Sequence, residues 1–424
     1  MLTNEHLLML PLVLLFSAAV LYLAGAHNVP AADRKFLFLL ALGALLARLL
    51  FIVSSYSLDT DFINYVRTSD ALYYEYIGKL IADAWHAGTP LSVVVNKNNF
   101  GYPYWNGIIY YIAGFKPILV IVLNSIASVC VAINVYFITL KLSGATAARI
   151  SFVVAAFFPS AILWSSLNLK DTLIIFVITL AVRHTLELLE SFKPGKLLLV
   201  VTLLMALVSL RFYIGILLAM CISFSYVFIA KRFPLWQRIS YTLVIVLLAG
   251  TALQQMGYGF LGTEYVLSQN IQTIGEQHQR GAIGGAAYEE EVTFDSLVAA
   301  LKYLPVGIFY FLFAPLPWQA MGPIRIITVP EMVFLYFAYR YLIMGVGHLW
   351  QTQRSACQFL LLVIVTFGLI YSLGASNMGG VYRVRLQVIM LMFVFISAGM
   401  HRSWALNKIF GRLFNRKVLP GDHR

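Results

Sequence analysis

The sequence predicts an all-α protein that crosses a membrane many times, and three observations carry that expectation. Hydrophobic residues make up 60% of the chain and charged residues only 11%, where soluble domains carry roughly 25% charged residues. Apolar runs near the roughly 20 residues that a spanning helix needs recur along the 424 residues. Lysine and arginine gather in short connections between those runs, the bias of cytoplasmic loops, so the net charge of +12 does not indicate nucleic acid. Helices are favoured over a barrel because the bilayer core offers backbone groups no outside partner and no alternating pattern is present.

Taken in order, the predicted membrane segments are 7–26, 36–56, 117–140, 148–164, 171–190, 196–210, 212–230, 239–257, 299–315, 328–349, 357–374 and 386–401. The first ends in Ala24-Gly25-Ala26, which imitates a signal-peptidase site, but its leading residues hold no lysine or arginine, so it reads as an uncleaved span. Cys130, Cys221 and Cys357 fall inside apolar runs and read as small core residues. Arg34-Lys35, Lys141 with Arg149, Lys193 with Lys196, Lys231-Arg232 with Arg238, Arg340 with Arg354 and the tail from 402 mark cytoplasmic ends. Alternation then puts the N-terminus, segment 57–116, the Lys170-Asp171 turn, the Arg211 turn and loop 258–298 outside. With the tail inside, an odd number of the last four segments must cross. Segment 299–315, which runs into Ala314-Pro315-Leu316-Pro317-Trp318, is therefore expected to be re-entrant. The expected architecture is a bundle of about 11 spans plus that element, a single domain over 1–401. A basic tail, 402–424, would lie on the anionic cytoplasmic leaflet.

Segment 57–116 is the long polar interlude early in this chain. Asp59, Asp61 and Asp70 precede a tyrosine-rich pattern in which Asp70, Tyr73, Tyr74 and Ile77 share one helical face. Asp70 follows Thr68 and Ser69, so a helix-start role competes with a chemical one. Lys170-Asp171 has the same duality as interfacial anchor and helix-start acid, and Arg211 as a snorkelling side chain. Arg383 and Arg385 stand on the side that the charge bias leaves poor in cations, which points to an anionic ligand. Arg48 lies inside a span and must face protein or water. Glu264, His278 and Glu289, Glu290 and Glu291 lie in loop 258–298, where a lid or acceptor-side role competes with a solvated loop. No His, Cys and carboxylate cluster has zinc spacing, and use of a divalent metal stays open.

Asp59-Thr60-Asp61 after a span, then Ser69-Asp70-Ala71-Leu72-Tyr73-Tyr74-Glu75-Tyr76, resembles the first external loop of GT-C glycosyltransferases. Phe100-Gly101-Tyr102-Pro103, Leu123-Asn124, Phe157-Phe158-Pro159-Ser160 and Lys170-Asp171 continue the likeness, which covers 36–215 well and the remainder loosely. It is closest in character to the bacterial branch related to protein O-mannosyltransferases and aminoarabinose transferases. The resemblance implies transfer of a sugar from a polyprenyl-phosphate donor to a lipid or glycan acceptor at the outer face of a bacterial inner membrane. It implies Asp70, or Asp59 or Asp61, as general base. It also implies Lys170, Arg211, Arg383 and Arg385 as phosphate partners, with Tyr73, Tyr74, Tyr102 and Trp105 lining the site. A carboxylate to take a hydroxyl proton and fixed cations for a leaving phosphate are what such chemistry needs. Two alternatives stay open, a repeat-unit polymerase or ligase using polyprenyl-diphosphate oligosaccharides and a lipid-linked sugar flippase or transporter. The sequence shows no inverted repeat of the kind many transporters carry.

Overall fold

The computed structural model describes residues 29–57, 69–91, 100–255, 296–316, 325–374 and 378–403. The predicted span 7–26, Asp59, Asp61, residues 258–295 of the expected loop with its glutamates and histidine, and the tail beyond 403 lie outside them. Every regular element among the described residues is helical. The first half holds α1 (Ala31–Ser57), α2 (Ser69–Ala87), α3 (Gly101–Ala113), α4 (Pro117–Phe157), α5 (Pro159–Ser165) and α6 (Asp171–Leu188). Next come α7 (Pro194–Leu210), α8 (Phe212–Phe224, extended by a π-helical turn Ser225–Ile229) and α9 (Leu235–Gln255). The last four are α10 (Leu297–Phe313), α11 (Arg325–Thr352), α12 (Arg354–Gly374) and α13 (Met378–Arg402). Six helices, α1, α4, α8 with its π turn, α11, α12 and α13, are long and apolar enough to cross a bilayer, and the chain is a polytopic all-α membrane protein.

The bundle is built around α13, 89% of whose apolar stretch is buried, against 28% for α11. Its most extensive partner is α11, followed by α4. The α11–α13 crossing is close because Gly345 and Gly399 face backbone: a Cβ on either would collide with Phe395 or Tyr341 carbonyl oxygen. Small residues let membrane helices approach to where dispersion between backbones replaces the missing hydrophobic drive.

Two interruptions at membrane depth show how the fold meets the demand that no backbone group go unpaired. The expected separate spans 117–140 and 148–164 are the two legs of α4, which turns back at the non-helical Gly144 (φ 82°, ψ −179°); the return leg breaks at Phe158, which is extended because Pro159 follows it. The break frees the Ala156 carbonyl and the Ser160 amide. Arg48 of α1 donates to that carbonyl at 2.9 Å, and Glu331 of α11 accepts from the amide at 2.9 Å and from the Ser160 hydroxyl at 3.1 Å. Arg48 is further held by Ser165 and Ser128 at 3.1 and 2.9 Å. Its partners are thus wholly structural.

The second interruption is the end of α10. Ala300 and Tyr303, near its start, pack on Leu373 at the end of α12, and Phe311 stacks on Tyr371 further in. Its last turn meets the middle of α11, where Tyr336 and Tyr339 hydroxyls donate to the Phe313 and Leu312 carbonyls at 2.7 and 2.6 Å. Arg385 of α13 donates to Phe311 oxygen at 3.3 Å and to Ala314 oxygen. Glu331 near the start of α11 accepts from Tyr382 near the start of α13, and His348 meets Arg402 near their ends, so these two helices run parallel. Therefore α10 starts at the end of the bundle where α11 also starts, the geometry expected of a re-entrant element. The four carbonyls that a helix C-terminus leaves orphaned are all satisfied by protein.

Helices α2 and α3 form a hairpin at that same end. The stripe that α2 buries is Ala71, Tyr74, Gly78 and Ile81, which leaves Asp70 and Tyr73 of the neighbouring face exposed. Gly78 and Gly107 let α2 and α3 approach along this stripe, since a Cβ on Gly78 would collide with Asn106 and one on Gly107 with Ile81. The start of the last helix is corrected: it begins at Met378 instead of 386, so Arg383 and Arg385 are helical residues and not loop charges.

Replacing Arg385 by methionine keeps the bulk and strips the donors from two buried carbonyls, each of which then costs about 1–3 kcal/mol. A drop in melting temperature of the purified protein in detergent is expected. An unchanged melting temperature would show that α10 is not anchored in this way.

Candidate functional site

The end of the bundle where α2, α6, α7, α8, α12 and α13 meet holds a cluster of charges centred on Arg383. Its position is set by α13, whose first turns emerge from the buried core beside Trp164. The indole lies 5.8 Å from the guanidinium carbon. Arg383 donates from Nη2 and Nε to Asp171 Oδ2 at 2.8 and 3.2 Å and from Nη1 to Asp70 Oδ2 at 3.0 Å. Asp171 opens α6, where the helix macrodipole favours a carboxylate, and its side chain is only 2% exposed. Asp70, on the first turn of α2, is 51% exposed. One guanidinium thus joins a buried carboxylate to one facing water.

The second cation comes from the break between α7 and α8. Arg211 is extended (φ −155°, ψ 96°), and Gly215 lets α8 fold back close against Val208. This brings Arg211 Nη2 to 3.4 Å from Asp171 Oδ1, an ion pair without hydrogen-bond geometry. Arg211 Nη1 is buried and has no hydrogen-bond partner among the described residues. A buried N–H left unmatched is costly, and an anionic oxygen would satisfy it.

Lys170 supplies the third cation, 5.9 Å above the Tyr74 ring. Burial, and then Arg211 beside it, lower its pKa to about 8, against the opposing pull of Asp171 and Asp70. Tyr74 is driven the other way, above the ordinary phenol range, by burial and by Asp70 and Asp171, so it stays neutral. Three cations against two carboxylates leave this cluster with one positive charge in excess.

Under Tyr74 lies a buried polar ladder. Tyr74 packs edge-on against Tyr102 at 4.8 Å. The Tyr102 hydroxyl donates to Asn168 at 2.6 Å and accepts from Asn124 at 2.8 Å. Asn168 donates to Asn106 at 2.9 Å. The ladder fastens the α2–α3 hairpin to the turn that carries Lys170 and Asp171, and so sets Asp70 against Arg383.

The structure therefore brings together Asp70, Lys170, Arg211, Arg383, Tyr74 and Tyr102, with Tyr102 wholly buried beneath the surface it was expected to line. Tyr73 is exposed beside Tyr74 at 5.7 Å. Trp105 is half-buried on α3, its indole nitrogen without a partner among the described residues. Arg385 is turned to the end of α10 instead of toward Asp171. Sequence reasoning read Asp171 as a helix-start acid, which it is, but missed its bridging place between two arginines, as it missed Trp164 and Asn168. The run Ser166-Leu167-Asn168-Leu169-Lys170-Asp171, polar between two apolar stretches, was the available signal. Among the described residues no three His, Cys, Asp or Glu side chains converge as metal ligands.

Fold and cluster define the chain as a polytopic membrane protein with a charged, aromatic-walled rim at one end. No protein-family model and no curated protein matches it. Among solved structures it is similar to ArnT from Cupriavidus metallidurans bound to undecaprenyl phosphate, with 12% identity and a TM-score of 0.46. The match covers 79% of this chain and 57% of that one, so the chain spans little more than half the length of that structure. A likeness this loose carries no inference about activity.

Asp171→Asn removes the charge from the middle of a buried cluster, and breaking such a set from one side costs about 3–5 kcal/mol. The expected result is a marked loss of thermal stability in detergent, larger than for Asp70→Asn at the exposed rim. Equal, small losses for both would show that the bridge does not organise this end of the bundle.

Proposed function

We propose that the protein is an integral-membrane glycosyltransferase of GT-C type that moves a sugar from a polyprenyl-phosphate donor to an acceptor hydroxyl. The observation that carries the reading is the sharing of Arg383 between exposed Asp70 and buried Asp171, with Arg211 and Lys170 alongside. Donor phosphate enters from the bilayer and its oxygens take the unmatched N–H of Arg211 together with Arg383 and Lys170. Asp70 accepts the acceptor's proton as the hydroxyl oxygen bonds to the anomeric carbon. The carbon–oxygen bond to phosphate breaks, its electron pair stays on the phosphate, and the cations offset that charge. Attack opposite the leaving group inverts the anomeric centre. Asp171 is a positioning residue that holds both arginines aimed at one place. Tyr74 and Tyr73 offer ring faces to the sugar. The lysine and arginine bias supports an external placement of this rim, and the GT-C resemblance supports a periplasmic one in a bacterial inner membrane.

Asp70→Asn is expected to abolish transfer in proteoliposomes supplied with polyprenyl-phosphate sugars, while donor binding survives. Near-normal turnover would move the base to Asp59 or Asp61. Preference for a diphosphate-linked oligosaccharide would instead place the chain with polymerases or ligases, and lipid translocation that survives Asp70→Asn would make it a flippase.

A pH dependence follows from Lys170. Its charge is present below a pKa of about 8 in the free protein and is lost as pH rises through that value. Bound phosphate raises that pKa, so donor affinity falls by up to tenfold per pH unit above about 8 until the bound-state pKa is passed. Lys170→Arg should flatten the profile between pH 7 and about 10, since arginine keeps its charge there. An unchanged profile would place the phosphate away from Lys170.

A further inference from the structure

At the opposite end of the bundle from the Arg383 cluster, α4 and α6 enclose a recess of about 190 Å3 lined by Phe137, Leu140, Lys141, Arg183 and Glu187. Arg183 is twelve residues from Asp171 along α6, or about 18 Å at the helical rise. This end carries the lysine and arginine residues that the sequence bias assigns to the cytoplasmic face.

The recess is built for an anion on its polar side. Arg183 lies flat on Phe137, with the guanidinium carbon 4.0 Å from the ring centroid. Its Nη1 donates to Asn134 at 3.3 Å, and Glu187 stands 3.9 Å from Nε, beyond hydrogen-bond distance. Glu187 is already engaged by Lys196 and by His184. Of five N–H donors on that guanidinium, one is hydrogen-bonded among the described residues. Lys141 reaches Glu190 at 2.9 Å and Leu186 oxygen at 3.3 Å, and keeps a donor to spare. Lys141, Arg183 and Lys196 against Glu187 and Glu190 leave one positive charge in excess.

The walls are built for hydrocarbon. Half-buried Leu123, Ala127 and Cys130 on α4, and Leu173, Phe176 and Leu180 on α6, recur at i+3 and i+4 in line with Lys141 and Arg183. Two apolar stripes thus run from the recess along a seam between helices, ending in cations at one leaflet.

We propose that this recess is a binding site for the phosphate of an anionic membrane lipid in the leaflet opposite the Asp70 rim, with an acyl chain lying along the α4–α6 seam. A basic pocket between membrane helices suits a lipid headgroup, and the apolar seam distinguishes that ligand from a free phosphate ion. The site does not depend on the transferase reading.

The test uses the full-length protein in phosphatidylcholine nanodiscs with and without phosphatidylglycerol, read by melting temperature and by lipid retained in native mass spectrometry. Wild type is expected to retain phosphatidylglycerol and melt higher with it, with no gain from inorganic phosphate. Arg183→Gln and Lys141→Gln should each weaken retention about fivefold, the equivalent of ~1 kcal/mol per cation near the surface. Half-exposed Lys141 decides the matter if Arg183→Gln fails to fold. Undiminished retention in Lys141→Gln, or equal protection by inorganic phosphate, overturns the proposal.

Discussion

Arg383 stands between Asp171, which water scarcely reaches, and Asp70, which water surrounds, and much of the molecule is arranged to keep it there. An unpaired ion in a low-dielectric interior costs several kcal/mol, so the buried carboxylate requires its two arginines as much as they require it. Four separate parts of the chain supply these groups: the start of α2, the start of α6, the α7–α8 break and the start of α13. Their meeting ties the α2–α3 hairpin to the core of the bundle. The two carboxylates differ in exposure, so water reaches the outer one and scarcely reaches the inner one.

Backbone in the bilayer poses the same problem as charge, and the chain answers it with the same residue types. Arg48 and Glu331 take up the carbonyl and amide freed where the helix breaks at Phe158-Pro159, and Arg385 with two tyrosines closes the end of α10. Tyr382 links these devices to the site, since it donates to Glu331 and neighbours Arg383 in sequence. Ionisable residues within membrane segments invite a functional reading by default. Here three of them are explained by backbone ends, which sharpens the case for those that are not.

The two ends of α6 differ in character. At one, a helix N-terminus holds a carboxylate that organises guanidinium groups toward the aqueous rim. At the other, Arg183 and Lys141 face a recess at the head of an apolar seam. A helix that carries a charged cluster at each end is held at a fixed depth in the bilayer. The proposed headgroup site would anchor it at the end away from the Asp70 rim.

Composition and the spacing of apolar runs by themselves determined that this is a helical polytopic membrane protein and which short connections carry the cations. The re-entrant expectation for α10 was also legible, because charge bias and parity constrain crossings without any knowledge of packing. Asp70 drew notice from the polar interlude that holds it, and Lys170, Arg211 and Arg383 as cations on the side that the charge bias leaves poor in them. Only the tertiary structure decided that Asp171 joins two of them, that Arg385 serves a helix end, and which face of α2 packs on α3. The reason is physical. Hydropathy records what a residue costs in hydrocarbon, whereas the partner that offsets the cost comes from another helix, often more than a hundred residues away in the chain. Such a choice depends on close approaches, like that at Gly78 and Gly107, that no local pattern encodes.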